Sequence, residues 1–445
     1  MKPKSTALLL VLTCVGVLAA ETPPAIVLSG GTLLDLSNFG ASSRDVHDAV
    51  VVIRGDTILY AGSPSGVVIP VDARIVDVRG GYVVPGFFDA FATVNNQAQA
   101  NAYLYLGVTS IVGIHDPGGR RGSLLTTADP GPRVHRLERV VGQNMSDAQL
   151  LAEIERLEGS GAKVLLLYYS LSPKQVEIVA RRARELGLAT IGELGSTTYR
   201  EAIDAGVMAF VHTSRYSLDL APSEVRAAVA ASPFGPPRTE FYEFLLKVPR
   251  DGPALLQHAR MLASGSTALI PTLSLNYLDL PDHSNPWKEP AAALLDPADI
   301  HLPADRTTGR PSDATLRRDV MPPNTTPQLM MFEGVYRKAG AKYLAGSGTD
   351  AFGTMPGISL HTELELLVRI GLTPRQALAA ATWNVGEVFG WPKVGRIAAG
   401  AYADLLVLDA DPTKGIANAK TIRTVILAGR IIDRQALLAG RPRQP

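Results

Sequence analysis

Eight histidines are the side chains with which this chain could bind a metal or move a proton near neutral pH. Three of them have telling neighbours: His115 precedes Asp116, His212 closes the apolar pair Phe210-Val211, and His361 stands two residues before Glu363. Imidazole combined with carboxylate is a donor set suited to a single zinc, manganese or iron ion. The other five, His47, His135, His258, His283 and His301, fall in loops or on polar helix faces, where an exposed or hydrogen-bonded ring is expected. Covalent and nucleotide chemistry lack their parts. There is no Gly-x-Ser-x-Gly elbow, and Gly346-x-Gly348 is too short for a phosphate loop, so no redox or nucleotide cofactor is expected.

The elements that must position these groups belong to a chain of 445 residues, long enough for a large barrel or two domains. Hydrophobic residues at 46% with 19% charged describe a packed globular protein. Lys plus Arg number 43 and Asp plus Glu 42, which leaves no electrostatic case for nucleic acid or an acidic membrane surface. The expected partner is a small molecule; a homo-oligomer stays open. At the N-terminus, Lys2 and Lys4 precede an apolar run from Ala7 to Leu18 and the small residues Ala19 and Ala20, the build of a secretory signal peptide cleaved near Ala20. The run falls short of the roughly 20 residues that span a bilayer, so no span is expected in the mature chain, and the expected location is periplasmic or extracellular. Cys14, the only cysteine, lies within that segment, and Val11-Leu12-Thr13 before it make a poor lipid-attachment site. A mature chain without cysteine has neither disulfides nor thiolate metal sites.

Short β-rich runs at Ile26–Leu34, Val50–Ile53, Thr57–Ala61 and Ile75–Val78 are separated by Gly or Asp turns, and a matching set returns at Ala403–Leu408 and Thr424–Leu427. These predict a small β-sandwich domain built from both ends of the chain, residues 21–80 plus 386–437. Between them, strands and helices alternate. Ala162–Tyr169 is a near-continuous apolar strand, Gln175–Leu186 has helical spacing with Gly187 as its cap, and Tyr199–Ala205 ends at Gly206 before a strand over Met208–Val211. The alternation predicts a (β/α)8 barrel over 81–385, an α/β fold. Prolines crowd the stretch from about 233 to 328, which predicts an irregular excursion over the barrel mouth, with a strand at Ala268–Leu275 inside it.

Val83-Val84-Pro85-Gly86-Phe87-Phe88-Asp89 resembles the signature of the amidohydrolase superfamily, specifically its imidazolonepropionase and prolidase-like branch. Further along, Leu106–Ser110, Pro271-Thr272-Leu273, Ala345–Asp350, the segment with His361, Glu363 and Leu364, Gly371-Leu372-Thr373-Pro374, Thr382-x-Asn384 and Gly395–Leu405 resemble the same branch in order and spacing. The resemblance implies a barrel hydrolase for carbon–nitrogen bonds. In that family a divalent metal activates water, and an aspartate after the eighth strand takes the proton.

Carried over residue by residue, the resemblance implies a thinned site. The first-strand histidine pair falls on Phe91 and Thr93, the fourth-strand lysine on Leu166, and the fifth-strand histidine on Gly192, with Glu193 adjacent. Lys163 is three residues from Leu166, on the opposite face of a strand. His212 and Asp350 match the sixth-strand ligand and the eighth-strand base. One imidazole and one carboxylate fall short of the three or four protein ligands of a zinc site.

A rearranged shell of His115, Glu193, His212 and Asp350 is the alternative, since all would emerge at one barrel face; against it, His115 and Asp116 open the polar turn Pro117-Gly118-Gly119. Two readings follow. In one the protein is a non-catalytic binding or accessory protein, with Phe91, Thr93, Leu166, Gly192, Glu193 and His212 around a pocket. In the other it is a hydrolase of non-peptide or dipeptide C–N bonds, with one metal and Asp350 as base. The ligand count favours the first.

Overall fold

A computed structural model describes residues 23–116, 123–142, 144–232, 235–311 and 321–439. The expected signal peptide with Cys14, and the turn Pro117-Gly118-Gly119, lie outside them. Among the described residues no helix is long and apolar enough to cross a membrane.

Strands from both ends of the chain share one hydrogen-bonded path. The N-terminal set is β1 (Ile26–Leu33), β2 (Val46–Arg54), β3 (Thr57–Gly62), β4 (Arg74–Asp77) and β5 (Tyr82–Pro85). β1 pairs antiparallel with β2 along its length, while its first half takes β4 and its second half β5 as parallel neighbours. The far end of the chain returns beside β5, because residues 405–408 pair antiparallel with it, from Leu405 opposite Pro85 to Leu408 opposite Tyr82. Bonds from Ile58 N to Ala401 O (3.0 Å) and from Gly400 N to Ile58 O (2.8 Å) curl β3 back towards this returning segment. Leu28, Val51, Ile53, Ile58, Val83, Leu405, Val407 and Ile426 form one core within the curl.

β5 runs through Gly86 straight into the barrel. Gly86 N donates to Asp404 O at 2.8 Å, and a Cβ at this position would stand 2.1 Å from Thr109 Oγ1, so the junction admits only a glycine without rearrangement. The barrel strands are β6 (Phe87–Ala92), β7 (Val108–Ile114), β8 (Arg133–Val140), β9 (Val164–Leu167), β10 (Ala189–Gly192), β11 (Ala209–Val211), β12 (Ala268–Ile270) and β13 (Lys342–Tyr343). They pair in sequence order, all parallel. The segment after β13 completes the ring: Leu344 N donates to Leu269 O, Ala90 N to Ala345 O and Gly348 N to Phe91 O, at 2.8–2.9 Å. The fold is therefore an α/β barrel of eight strands with a separate β-rich part, completed by β14 (Leu405–Leu408), β15 (Ile422–Leu427) and β16 (Arg430–Ile432).

Alternate residues of each strand fill the barrel. Phe88, Val112, Ile114, Leu137, Val164, Leu166, Ala189, Ile191, Ala209, Val211, Ala268 and Ile270 make one buried cluster. Trp391 plugs the end at which the strands begin, stacked on His135 at 4.5 Å. His258 is buried and His135 half-buried, neither exposed, and desolvation lowers each ring's pKa to about 4. Their strand and helix turn them inward, which loop-like polarity in the sequence conceals.

Several helices begin as their sequences dictate. Ser146, Ser172, Thr198 and Thr373 each cap a helix and share a reciprocal capping box with Gln149, Gln175, Glu201 and Gln376. Gly206 closes its helix in the left-handed conformation. The proline-rich stretch is more regular than its composition predicts. Pro236 and Pro253 sit in the first turns of helices Pro236–Leu245 and Pro253–Ser264, where a missing N–H costs nothing. Beyond β12 the chain does become a series of 3₁₀ turns, from Leu273–Asp279 to Pro297–Asp299, and the strand stops at Ile270 instead of continuing to Leu275.

Candidate functional site

The ends of β6 to β12 and the segment after β13 bring the sequence-derived candidates to one mouth, in different roles. Phe91 is 2% exposed and belongs to the interior apolar cluster, reached through a register shift between Asp89 and Ala92. Leu166 lies in the same cluster. Thr93 is buried and donates to Asn95 Oδ1 at 3.0 Å, while its carbonyl accepts from Tyr103. Gly192 faces away from the interior: a Cβ there would meet Leu194 and Phe210, which pack outside the strands. With Ala189 and Ile191 inward, the strand's two-residue period gives Glu193 the interior side.

His212 leaves β11 in the left-handed region, φ +56°, and so does Thr272 after β12, φ +51°. The two side chains meet at 2.5 Å. Because Thr272 Oγ1 donates its proton to Pro271 O, His212 Nδ1 is the donor to Thr272. Phe91 stands edge-on to this imidazole, centroids 5.3 Å apart. Asp350 is buried after the eighth strand segment.

The rearranged shell is not brought together. His115, one residue beyond the inward Ile114, takes the outer side and pairs through Nδ1 with Glu138 at 2.8 Å, and with Arg136 at 3.1 Å. Glu193 accepts from Tyr216 Oη at 2.7 Å. Among the described residues no three His, Cys, Asp or Glu side chains gather as a metal site would.

Sequence reasoning missed a basic and aromatic cluster at the same mouth. Arg139, at the end of β8 and in register with Leu166, has its guanidinium 4.9 Å from the Tyr168 ring. Arg238, 4% exposed on the helix Pro236–Leu245, lies 4.2 Å over the ring of Tyr216. The turn carrying Tyr216 is pinned by buried Glu333, which accepts from Ser214 N at 2.9 Å and from Thr213 and Tyr343. The one available signal was alternation in Arg133-Val134-His135-Arg136-Leu137-Glu138-Arg139, whose charges disguise a barrel strand.

A model of the amidohydrolase family matches residues 300–432. Over that stretch the chain is similar to the amidohydrolase family. It is 23% identical to an imidazolonepropionase of Anaeromyxobacter sp. (strain K), covering 88% of this chain and 92% of that protein. Among solved structures it resembles a putative prolidase from Bifidobacterium longum, with TM-score 0.61, 20% identity, and 94% and 99% of the two chains covered. A bottromycin amidohydrolase aligns with TM-score 0.63 at 19% identity, over 94% of this chain and 89% of that one. At these identities the structural likenesses speak for the fold.

Within the barrel Asp89 and Glu363, like Glu333, are fully enclosed. Asp89 Oδ1 accepts from Ser347 N at 2.8 Å and from Phe91 N at 3.3 Å, tying the first strand to the last. Glu363 Oε2 accepts from Ser274 N at 2.7 Å, and Ser274 Oγ donates on to Ser347 O. Burial pushes Asp89 up to about 7 and Glu363 up to about 8, only partly offset by these bonds. His361 is buried against Phe87 with Nε2 2.9 Å from Leu106 O, a packing role.

Two outcomes follow. A folded-state pKa above the unfolded value means stability that is present at low pH and lost as pH rises through the folded pKa. Asp89 and Glu363 should therefore cost the protein about 2 kcal/mol of unfolding free energy between pH 7 and 9, measured by urea unfolding. His135, His258 and His361 act in the opposite sense only below about pH 6.5. Glu363→Gln should remove most of the alkaline slope; an unchanged slope would show that Glu363 is ionised in the folded protein. Phe91→Ala should lower stability by about 3–5 kcal/mol, as for a core aromatic, in the same assay; a loss under about 1 kcal/mol would exclude the packing role.

Proposed function

We propose that this chain is an exported amidohydrolase-fold protein that binds a small molecule at the barrel mouth without a metal centre, as a binding or accessory protein. One observation carries the reading. Phe91 and Leu166 occupy positions that in the family face the metal, and both are packed into the barrel's apolar interior. A divalent ion in such a barrel would polarise a carbonyl and lower the pKa of bound water, but the residues here do not fit it. Phe91 and Leu166 offer no donor and Gly192 turns outward, which leaves His212 without neighbouring imidazoles to complete a metal shell. Glu193 is held by Tyr216.

Elemental analysis of the purified full chain, after incubation with zinc, manganese or iron salts, should find no stoichiometric metal. About one metal per chain, lost in His212→Ala, would sink the reading and restore a single-metal hydrolase. Export is supported by Lys2, Lys4 and the apolar run to Leu18. Expressed with its own N-terminus in a bacterial host, the protein should appear outside the cytoplasm with a mass that begins at Glu21. A full-length cytoplasmic product would rule export out.

A further inference from the structure

The geometry points to a specific occupant of the mouth: Arg238, with Arg215 beside it, binds the carboxylate of a small organic acid. This rests on the metal-free binding reading above and names its ligand class. Arg238 is 4% exposed, yet its Nη1 has no hydrogen-bond partner and its guanidinium makes no ion pair among the described residues. A guanidinium taken out of water with an unbonded N–H carries a standing desolvation cost that an incoming acceptor would relieve. Tyr216 covers one face of the group at 4.2 Å, with Tyr242 and Phe241 farther out at 5.3 and 5.7 Å. Stacking occupies the face and leaves the N–H edge for an acceptor in its plane, the arrangement that suits a carboxylate.

The location ties this group to the barrel mouth. Tyr216 stacks 6.1 Å from His212 on one side and donates to Glu193 on the other. Those two residues follow β11 and β10, at the end where barrel sites are built. Arg215 donates from Nε to Tyr242 Oη at 3.4 Å, a long bond, and makes no ion pair among the described residues. Tyr216 brings Glu193 close to Arg238, yet no ion pair joins Glu193 to either arginine among the described residues. A planar carboxylate matches the in-plane N–H edge of a guanidinium. The aromatic rings supply an apolar wall for the remainder of the molecule.

Calorimetric titration of the full-length mature protein, with and without EDTA, tests this with benzoate, its neutral isostere benzamide, and inorganic phosphate. Benzoate should bind once per chain, and benzamide and phosphate should not. Arg238→Met should weaken benzoate about tenfold or more, Arg238→Lys less, and Arg215→Met in the same direction. Arg215→Met and Arg238→Lys keep the test valid where Arg238→Met does not fold. Equal benzoate affinity across the folded variants, or phosphate binding in preference to benzoate, overturns the assignment. No benzoate binding to protein free of metal overturns it too, while leaving the metal-free reading intact. Benzoate binding abolished by EDTA overturns both.

Discussion

The seam between the first and the eighth barrel strands is the constraint on which the rest depends. A parallel sheet has two edges, and only their closure removes them. Here closure falls to irregular backbone beyond β13, where Ala345 and Gly348 bond to Ala90 and Phe91. Asp89 reinforces it from within by accepting the N–H of Ser347. A buried carboxyl at a seam serves as a backbone acceptor, and enclosure in a low-dielectric interior favours its protonated form. Gly346 belongs to the same fit, since a Cβ there would come within 2.6 Å of Ile270.

Closure also fixes which side chains meet at the mouth. Once the strands form a ring, every second residue of each is directed inward, and the pattern continues into the first residue past the strand unless the backbone breaks it. Ile191 is inward, so Glu193 is inward and Gly192 is not. Ile114 is inward, so His115 joins Glu138 and Arg136 on the other side. His212 and Thr272 break the pattern through left-handed backbone, and that shared break lets them bond. The consequence is a mouth whose positive charge comes from arginines stacked on tyrosines, set over an apolar plug of Phe91 and Leu166.

Helices and strands with strong local patterns were legible in advance. Tyr199–Ala205 with its Gly206 cap is found at the expected residues, and the returning C-terminal strands do join the N-terminal set. β8 was not legible, because Arg133, His135 and Arg139 point into the barrel where an apolar run would be expected. Each is accommodated by a specific neighbour: Arg133 by Asp404 at 2.6 Å, His135 by Trp391 and Arg139 by Tyr168. Such compensation comes from residues remote in the chain. Prolines misled in the opposite direction, since Pro236 and Pro253 start helices.

By itself the sequence determined the barrel, the composite sheet and the side chains that stand at strand ends, Phe91 and Gly192 among them, because residue identity and short-range periodicity are properties of the chain. It also placed His212 and Asp350 after their strands. Only the tertiary structure decided that Glu193 and not Gly192 takes the interior side, that His115 turns away, and that Arg238 arrives over Tyr216 from a helix farther along the same β11–β12 connection. The physical reason is that facing and cross-strand company depend on register, bulges and left-handed residues. These are set when distant strands pair, and no local spacing encodes them.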